Sequence, residues 1–161
     1  LRVNLGFTST GKRPKTIVVT SPGVGDGKSL SAANLALAMA TAGCRTLLID
    51  ADLHRPRVQE LFGFRSDPGL IEILKGEAPF RSESTASDIP DLHILTSGGT
   101  AWEGPELLGS DKMRALLKEL EERFDVIVID TPPTLAVTDA LVLAATADAT
   151  VVVARAGKTK E

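Results

Sequence analysis

Residues 17–31 read Ile-Val-Val-Thr-Ser-Pro-Gly-Val-Gly-Asp-Gly-Lys-Ser-Leu-Ser, and the order of these residue types decides the fold. Ile17, Val18, Val19 and Thr20 have the β-branched character of a strand. Gly23, Gly25 and Gly27 follow, with Val24 and Asp26 between them, and Lys28, Ser29 and Leu30 open an alanine- and leucine-rich helix. Strand, glycine loop, Lys-Ser and helix make up the context of a phosphate-binding P-loop. Glycine admits positive φ and lets a ligand approach the backbone. The loop amides and the helix N-terminus then point at one anion. Gly23, Val24, Gly25, Asp26, Gly27, Lys28, Ser29 and Leu30 are therefore the expected nucleotide-binding segment. Within it Lys28 serves the outer phosphates and the Ser29 hydroxyl serves Mg²⁺. A plain glycine turn is the alternative, and the complete strand–loop–helix context disfavours it. Pro22 stands where the pattern G-x-x-x-x-G-K-[ST] has its first glycine, so the loop is a variant.

The helix from Lys28 runs to about Ala42, where Gly43 is a suitable stop. Arg45–Asp50 and Asp125–Asp130 are nearly continuous apolar runs ending in aspartate. Such runs fit strands buried on both faces of a parallel sheet. Further strands are expected at 92–95 and 150–154, and helices at 57–62, 70–75, 111–123 and 140–147. Ser110-Asp111 caps the third of these, and Thr138 or Asp139 the last. Residues 77–91 are polar apart from Phe80 and Ile89 and read as a mobile surface loop, and 96–105 as a glycine-rich loop. Alternation of strands and helices predicts an α/β P-loop NTPase fold, a mainly parallel central sheet with helices on both faces. Ligand sites in such sheets lie at the carboxyl ends of the strands. The P-loop, Asp50 and Asp130 all fall there.

Asp130 ends Val126–Ile129, and a carboxylate at that strand tip is placed to face magnesium beside the P-loop. Asp50 and Asp52 lie two apart, and in extended backbone such residues point the same way. Both are expected to face the phosphate site, to position Mg²⁺ or to accept a proton from an attacking hydroxyl. Lys28, Asp50 and Asp52 are thus the expected catalytic residues, and Ser29, Asp50, Asp52 and Asp130 the expected metal ligands.

With 161 residues the chain reads as one domain over 1–161, expected to be cut from a longer protein at both ends. Hydrophobic residues at 43% and charged residues at 24% fit a globular domain, and no apolar run approaches the roughly 20 residues of a bilayer span. A net charge of −3 argues against nucleic acid as a partner. Cys44 is the single cysteine, which excludes an internal disulfide framework. His54 and His93 are the two histidines and lack the neighbours of a zinc site.

The chain resembles the bacterial tyrosine kinases of capsule and exopolysaccharide synthesis, P-loop proteins related to the MinD/ParA ATPases. The matching stretches include TSPGVGDGKSLSAANLA at 20–36, LLIDADLHRPRVQELFG at 47–63, GLIEILKGEA at 69–78, PELLGSDKM at 105–113 and FDVIVIDTPP at 124–133. The resemblance implies ATP-dependent autophosphorylation on tyrosine with Mg²⁺, regulating polysaccharide export. By its motifs Lys28 and Ser29 are Walker A, Asp50 and Asp52 Walker A′, and Asp130 Walker B, with Asp50 favoured to activate the substrate hydroxyl. Arg55-Pro56 is typical of these kinases. Arg2 resembles an arginine that contacts a neighbouring subunit in a ring, which implies a homo-oligomer in the full-length form. The implied partners are ATP and ADP, protein tyrosines (the chain's own C-terminal tail in a longer form) and a membrane activator of the polysaccharide co-polymerase type. The implied location is cytoplasmic, at the inner face of the cell membrane.

Two features depart from that family. The chain has no tyrosine, so it cannot phosphorylate itself on tyrosine within these residues. Trp102 and Glu103 replace a proline-rich stretch, with Trp102 suited to stack on a base or to pack a surface loop. Two other readings compete. A partitioning ATPase of the MinD/ParA kind usually has a second lysine where this chain has Gly23. A non-catalytic nucleotide switch in polysaccharide export is disfavoured by the intact Lys28, Asp50, Asp52 and Asp130.

Overall fold

A computed structural model describes residues 14–134 and 139–155. The apolar runs become β1 (Thr16–Thr20), β2 (Thr46–Asp50), β3 (Leu92–Leu95), β4 (Val126–Asp130) and β5 (Ala149–Val152). All pair in parallel, in the order β3-β2-β4-β1-β5. Side chains alternate across a strand, so each buried strand feeds two cores. Val18, Leu47, Ile49, Ile127 and Ile129 face one side, and Ile17, Val19, Leu48, Val126 and Val128 the other. Helices cover both faces, as expected. The second side receives the small residues Ala32, Ala33, Ala36 and Ala40 of α1 (Lys28–Thr41) and Val58 of α2 (Val58–Phe62). The first receives α3 (Leu70–Lys75), α4 (Gly104–Leu108), α5 (Asp111–Arg123) and α6 (Asp139–Ala144).

The predicted cap of α5 is present, with Ser110 Oγ accepting from Met113 N at 3.2 Å. Met113, Leu116, Leu117 and Leu120 then fall on one buried face. Two expectations are corrected. The 96–105 loop ends early because Pro105 sits at the start of α4, where its fixed φ and missing amide suit a helix. The 77–91 stretch folds back onto the sheet edge. Phe80 is buried edge-on against Phe124, Ser82–Thr85 form a 3₁₀ turn, and Ala86 bridges His93. One buried aromatic is enough to anchor an otherwise polar loop. Arg2, the predicted turn at 8–11 and Thr138 lie outside the described residues.

Where α3 meets the end of β3, the backbones touch. Leu70 N donates to Thr96 O at 2.8 Å and Ile71 N to Ser97 O at 2.9 Å. Gly69 N donates to Glu72 Oε2 at 3.0 Å. A Cβ on Gly69 would overlap the backbone of Gly98, which neither segment can relieve by a side-chain rotation. Gly69→Ala is expected to lower the urea midpoint by an amount equivalent to about 2 kcal/mol or more. An unchanged midpoint would show that this contact is loose.

His93 on β3 is half-buried, with Nδ1 3.2 Å from Thr85 Oγ1 and its ring edge-on to Phe124. Burial, then the nearby Arg45 charge, holds its imidazole below the ordinary value of 6.5. The unfolded chain thus binds a proton at a pH where the folded chain does not, and stability falls as pH drops below about 6.5. His93→Gln is expected to flatten melting temperature against pH between about 5 and 7. A slope unaltered by the substitution would place the effect elsewhere.

Candidate active site

The site lies where β1, β4 and β2 end side by side. Gly25 and Gly27 have φ of +83° and +91°, and nothing stands within 4 Å of a Cβ built on either, so the loop turns around open space. Asp26 closes the loop on itself, its Oδ2 accepting from Gly23 N at 2.9 Å. Gly27 is the N-cap of α1, which puts Lys28 and Ser29 in the first turn.

Lys28 is buried. Its Nζ lies 2.8 Å from Asp52 Oδ2, 3.4 Å from Asp130 Oδ1 and 3.2 Å from Ser29 Oγ. One ammonium thus joins the glycine loop to the ends of two strands. The β2–β4 register sets Asp50 directly opposite Asp130. The segment after β4 is tied to the loop on the other side, with Thr20 Oγ1 donating to Pro132 O at 3.0 Å and Thr134 N to Ser21 O at 2.9 Å.

The two acids of the pair do not share a direction. Asp52 lines the cavity beside Lys28, with Oδ1 accepting from Arg55 N at 2.9 Å. Asp50 is fully buried and does not line it. Its Oδ2 accepts from Arg57 N at 3.0 Å and Val58 N at 2.9 Å, and its Oδ1 from Asp52 N at 3.2 Å. The strand ends at Asp50, so two-residue alternation no longer governs Asp52, and the amides at the start of α2 draw the Asp50 carboxyl away from the cavity. Burial, then the Asp130 charge, pushes the Asp50 carboxyl up to about 7 despite the three amides. Asp130 rises to about 6, chiefly by burial, with the Lys28 charge and a Ser29 hydrogen bond opposing. Two carboxyls this close and this dry resist ionising together.

The cavity measures about 410 Å³ and is walled by Val24, Gly25, Gly27, Lys28, Ser29 and Leu30. Gly23 and Asp26 lie behind that wall, in the turn that shapes it. Facing these residues are Asp52, His54, Arg55, Arg57, Pro132 and Pro133. Sequence reading did not assign His54, Arg57 or the two prolines to the site. The available signal was position, because they follow the carboxyl ends of β2 and β4. Among the described residues no group of three or more His, Cys, Asp and Glu side chains is arranged to hold a metal alone. Trp102 is 93% exposed among the described residues.

A parallel sheet that carries a glycine loop, a buried lysine and two acidic strand ends at one edge defines a P-loop nucleotide-binding protein. Residues 14–159 match the family model described as AAA domain. The tyrosine-protein kinase YwqD of Bacillus subtilis is 39% identical over 161 residues, covering 100% of this chain and 68% of that protein. The tyrosine-protein kinase ptk of Acinetobacter johnsonii is 34% identical over 99% of this chain, which spans only 22% of that relative's length. The solved VpsO kinase domain superposes with a TM-score of 0.84 at 40% identity, over 91% of this chain and 72% of that one. The septum site-determining protein MinD of Pyrococcus horikoshii, solved with Mg-ADP, gives 0.70 at 25% identity, over 86% and 57%. The chain belongs to the AAA domain family and, within it, to the bacterial tyrosine-protein kinases.

Proposed function

We propose that this protein transfers the γ-phosphoryl group of ATP to tyrosine hydroxyls of proteins and so regulates exopolysaccharide or capsule synthesis and export. The observation that carries the site assignment is the Lys28 ammonium, held between Asp52 and Asp130 at the mouth of the glycine loop. The loop amides and Lys28 hold the phosphates. The tyrosine oxygen bonds to the γ-phosphorus as the bond from that phosphorus to the ADP oxygen breaks. The phenol proton passes to a carboxylate. The family resemblance favours Asp50 for that role. The geometry favours Asp52 Oδ2, which lines the cavity and is released when Lys28 turns to the phosphates. Asp50 then positions the loop.

Mg²⁺ fits Ser29 and Asp130. Asp130 Oδ2 is buried without a hydrogen-bond partner, an acceptor left for a cation or its water. Magnesium keeps several waters and takes only one or two carboxylates plus phosphates, so a full protein cage is not required. When bound it supplies neutralisation of phosphate charge.

The acceptor is another chain or a segment outside these residues, since the 161 residues contain no tyrosine. Among the described residues no helix is long and apolar enough to cross a membrane. Assembly into a ring and an activator at the inner membrane face belong to the same proposal. Gly23, in place of a second lysine, weighs against a partitioning ATPase.

The test is incubation with Mg²⁺, γ-labelled ATP and a tyrosine-rich peptide. Label is expected on peptide tyrosine. Free phosphate alone, from this chain and from a longer chain with flanking sequence added, would instead favour an ATPase.

A further inference from the structure

Beyond Asp52 the chain runs Leu53, His54, Arg55, and this segment separates two depressions. One is the cavity of Lys28 and Asp52. The other, about 280 Å³, is lined by Leu53, His54, Arg55, Thr100, Ala101 and Trp102, with no residue of the glycine loop. His54 and Arg55 line both. The two loops are tied at their base, where Ala101 N donates to Leu53 O at 2.9 Å. Leu53 and Ala101 are buried, so the backbone under Trp102 is anchored while its indole stands in solvent.

We propose that this second depression is the acceptor subsite, taking the ring of a tyrosine on Trp102 and an acidic neighbour of that tyrosine on Arg55. The inference rests on the kinase reading above. In-line transfer requires the acceptor oxygen to arrive opposite the departing ADP. The glycine loop and the first turn of α1 line the first cavity, and the second depression adjoins it through His54 and Arg55. An exposed indole at its rim is a rigid aromatic platform for another ring. Charge fits as well. The Arg57 guanidinium is held by Glu60 at 2.6 Å, whereas Arg55 has no ion-pair partner among the described residues. A lone exposed apolar residue needs no explanation. Trp102 differs in forming the rim of a depression that shares a wall with the reaction site.

Trp102 is the single tryptophan, and no tyrosine competes with it, so indole emission from the chain reports this position alone. The probes are an acidic peptide with one tyrosine and no tryptophan, its phenylalanine counterpart, which cannot be phosphorylated, and its alanine counterpart. The tyrosine and phenylalanine peptides are expected to shift the emission saturably, and the alanine peptide is not. Trp102→Ala is expected to raise KM for the peptide about tenfold while KM for ATP moves less than about twofold, with Trp102→Phe recovering most of the loss. Transfer to the peptide with unchanged emission and unchanged KM would overturn the subsite and leave the kinase reading standing. A parallel rise in KM for ATP would assign the indole to the base and also overturn it. Saturable binding with ATP hydrolysis but no labelled peptide would retain the peptide site and overturn the kinase reading.

Discussion

Lys28→Met is expected to reduce phosphoryl transfer at least about 10²–10³-fold, the usual loss when one preorganised charge is removed from a transition state. The reason lies in the position of the ammonium. It is buried, 2.8 Å from Asp52 and 3.4 Å from Asp130, and is the cation these two carboxylates share. Methionine keeps the length of the side chain and removes the charge. The phosphates then lose a donor, and they also meet two acids with no cation between them. The Lys28 charge is the largest influence holding the Asp130 carboxyl down, so in the variant that carboxyl rises above about 6 and keeps its proton further into the neutral range. Magnesium affinity should fall with it. Transfer of labelled phosphate, together with calorimetric titration of Mg²⁺-ATP, reads both effects. A variant within tenfold of the wild-type rate would remove Lys28 from the site.

Asp52→Asn and Asp50→Ala should both be nearly inactive, but for reasons that a second measurement separates. Asp52 lines the cavity, and its loss as proton acceptor should cost about 10²–10⁴ in kcat with little change in melting temperature. Asp50 accepts three amides in a fully buried position, at Asp52, Arg57 and Val58. Alanine leaves them without acceptors, at about 1–3 kcal/mol for a buried donor left unsatisfied. Relief from burying a carboxyl offsets part of that cost, so a net loss of about 2 kcal/mol is expected together with the loss of activity. Asp50→Asn keeps an oxygen for Arg57 and Val58 and should stay folded, which isolates chemistry from positioning. If Asp50→Asn were inactive and Asp52→Asn active, the proton would go to Asp50, and the loop from 51 to 57 would have to move when substrates bind.

The fold was largely legible because its signals are local. A β-branched run, three glycines and Lys-Ser lie within fifteen successive residues. Their order alone places an anion at a helix N-terminus after a strand. Doubly apolar runs such as Val126–Ile129 show burial on both faces without reference to any neighbour. The misread stretches had weak or mixed local signals. A single phenylalanine, Phe80, outweighs the nine polar residues of loop 77–91, because burying one aromatic ring anchors the segment. In 96–105 the preceding glycines masked the helix start at Gly104-Pro105.

The conformational preferences of neighbouring residues were enough to specify the strand–loop–helix unit, the parallel α/β class and the two acids at strand ends, Asp50 and Asp130. Tertiary structure alone decided which groups meet. Strand order β3-β2-β4-β1-β5 and the β2–β4 register place Asp50 opposite Asp130, 80 positions away in sequence. Packing brings Lys28 to Asp52 and Asp130. The amides of Arg57 and Val58 turn Asp50 away from the cavity, and the Leu53–Ala101 hydrogen bond anchors the backbone that carries Trp102 to the rim of the neighbouring depression. Strand pairing and burial are relations between distant segments, and their energy is realised only when the whole sheet closes.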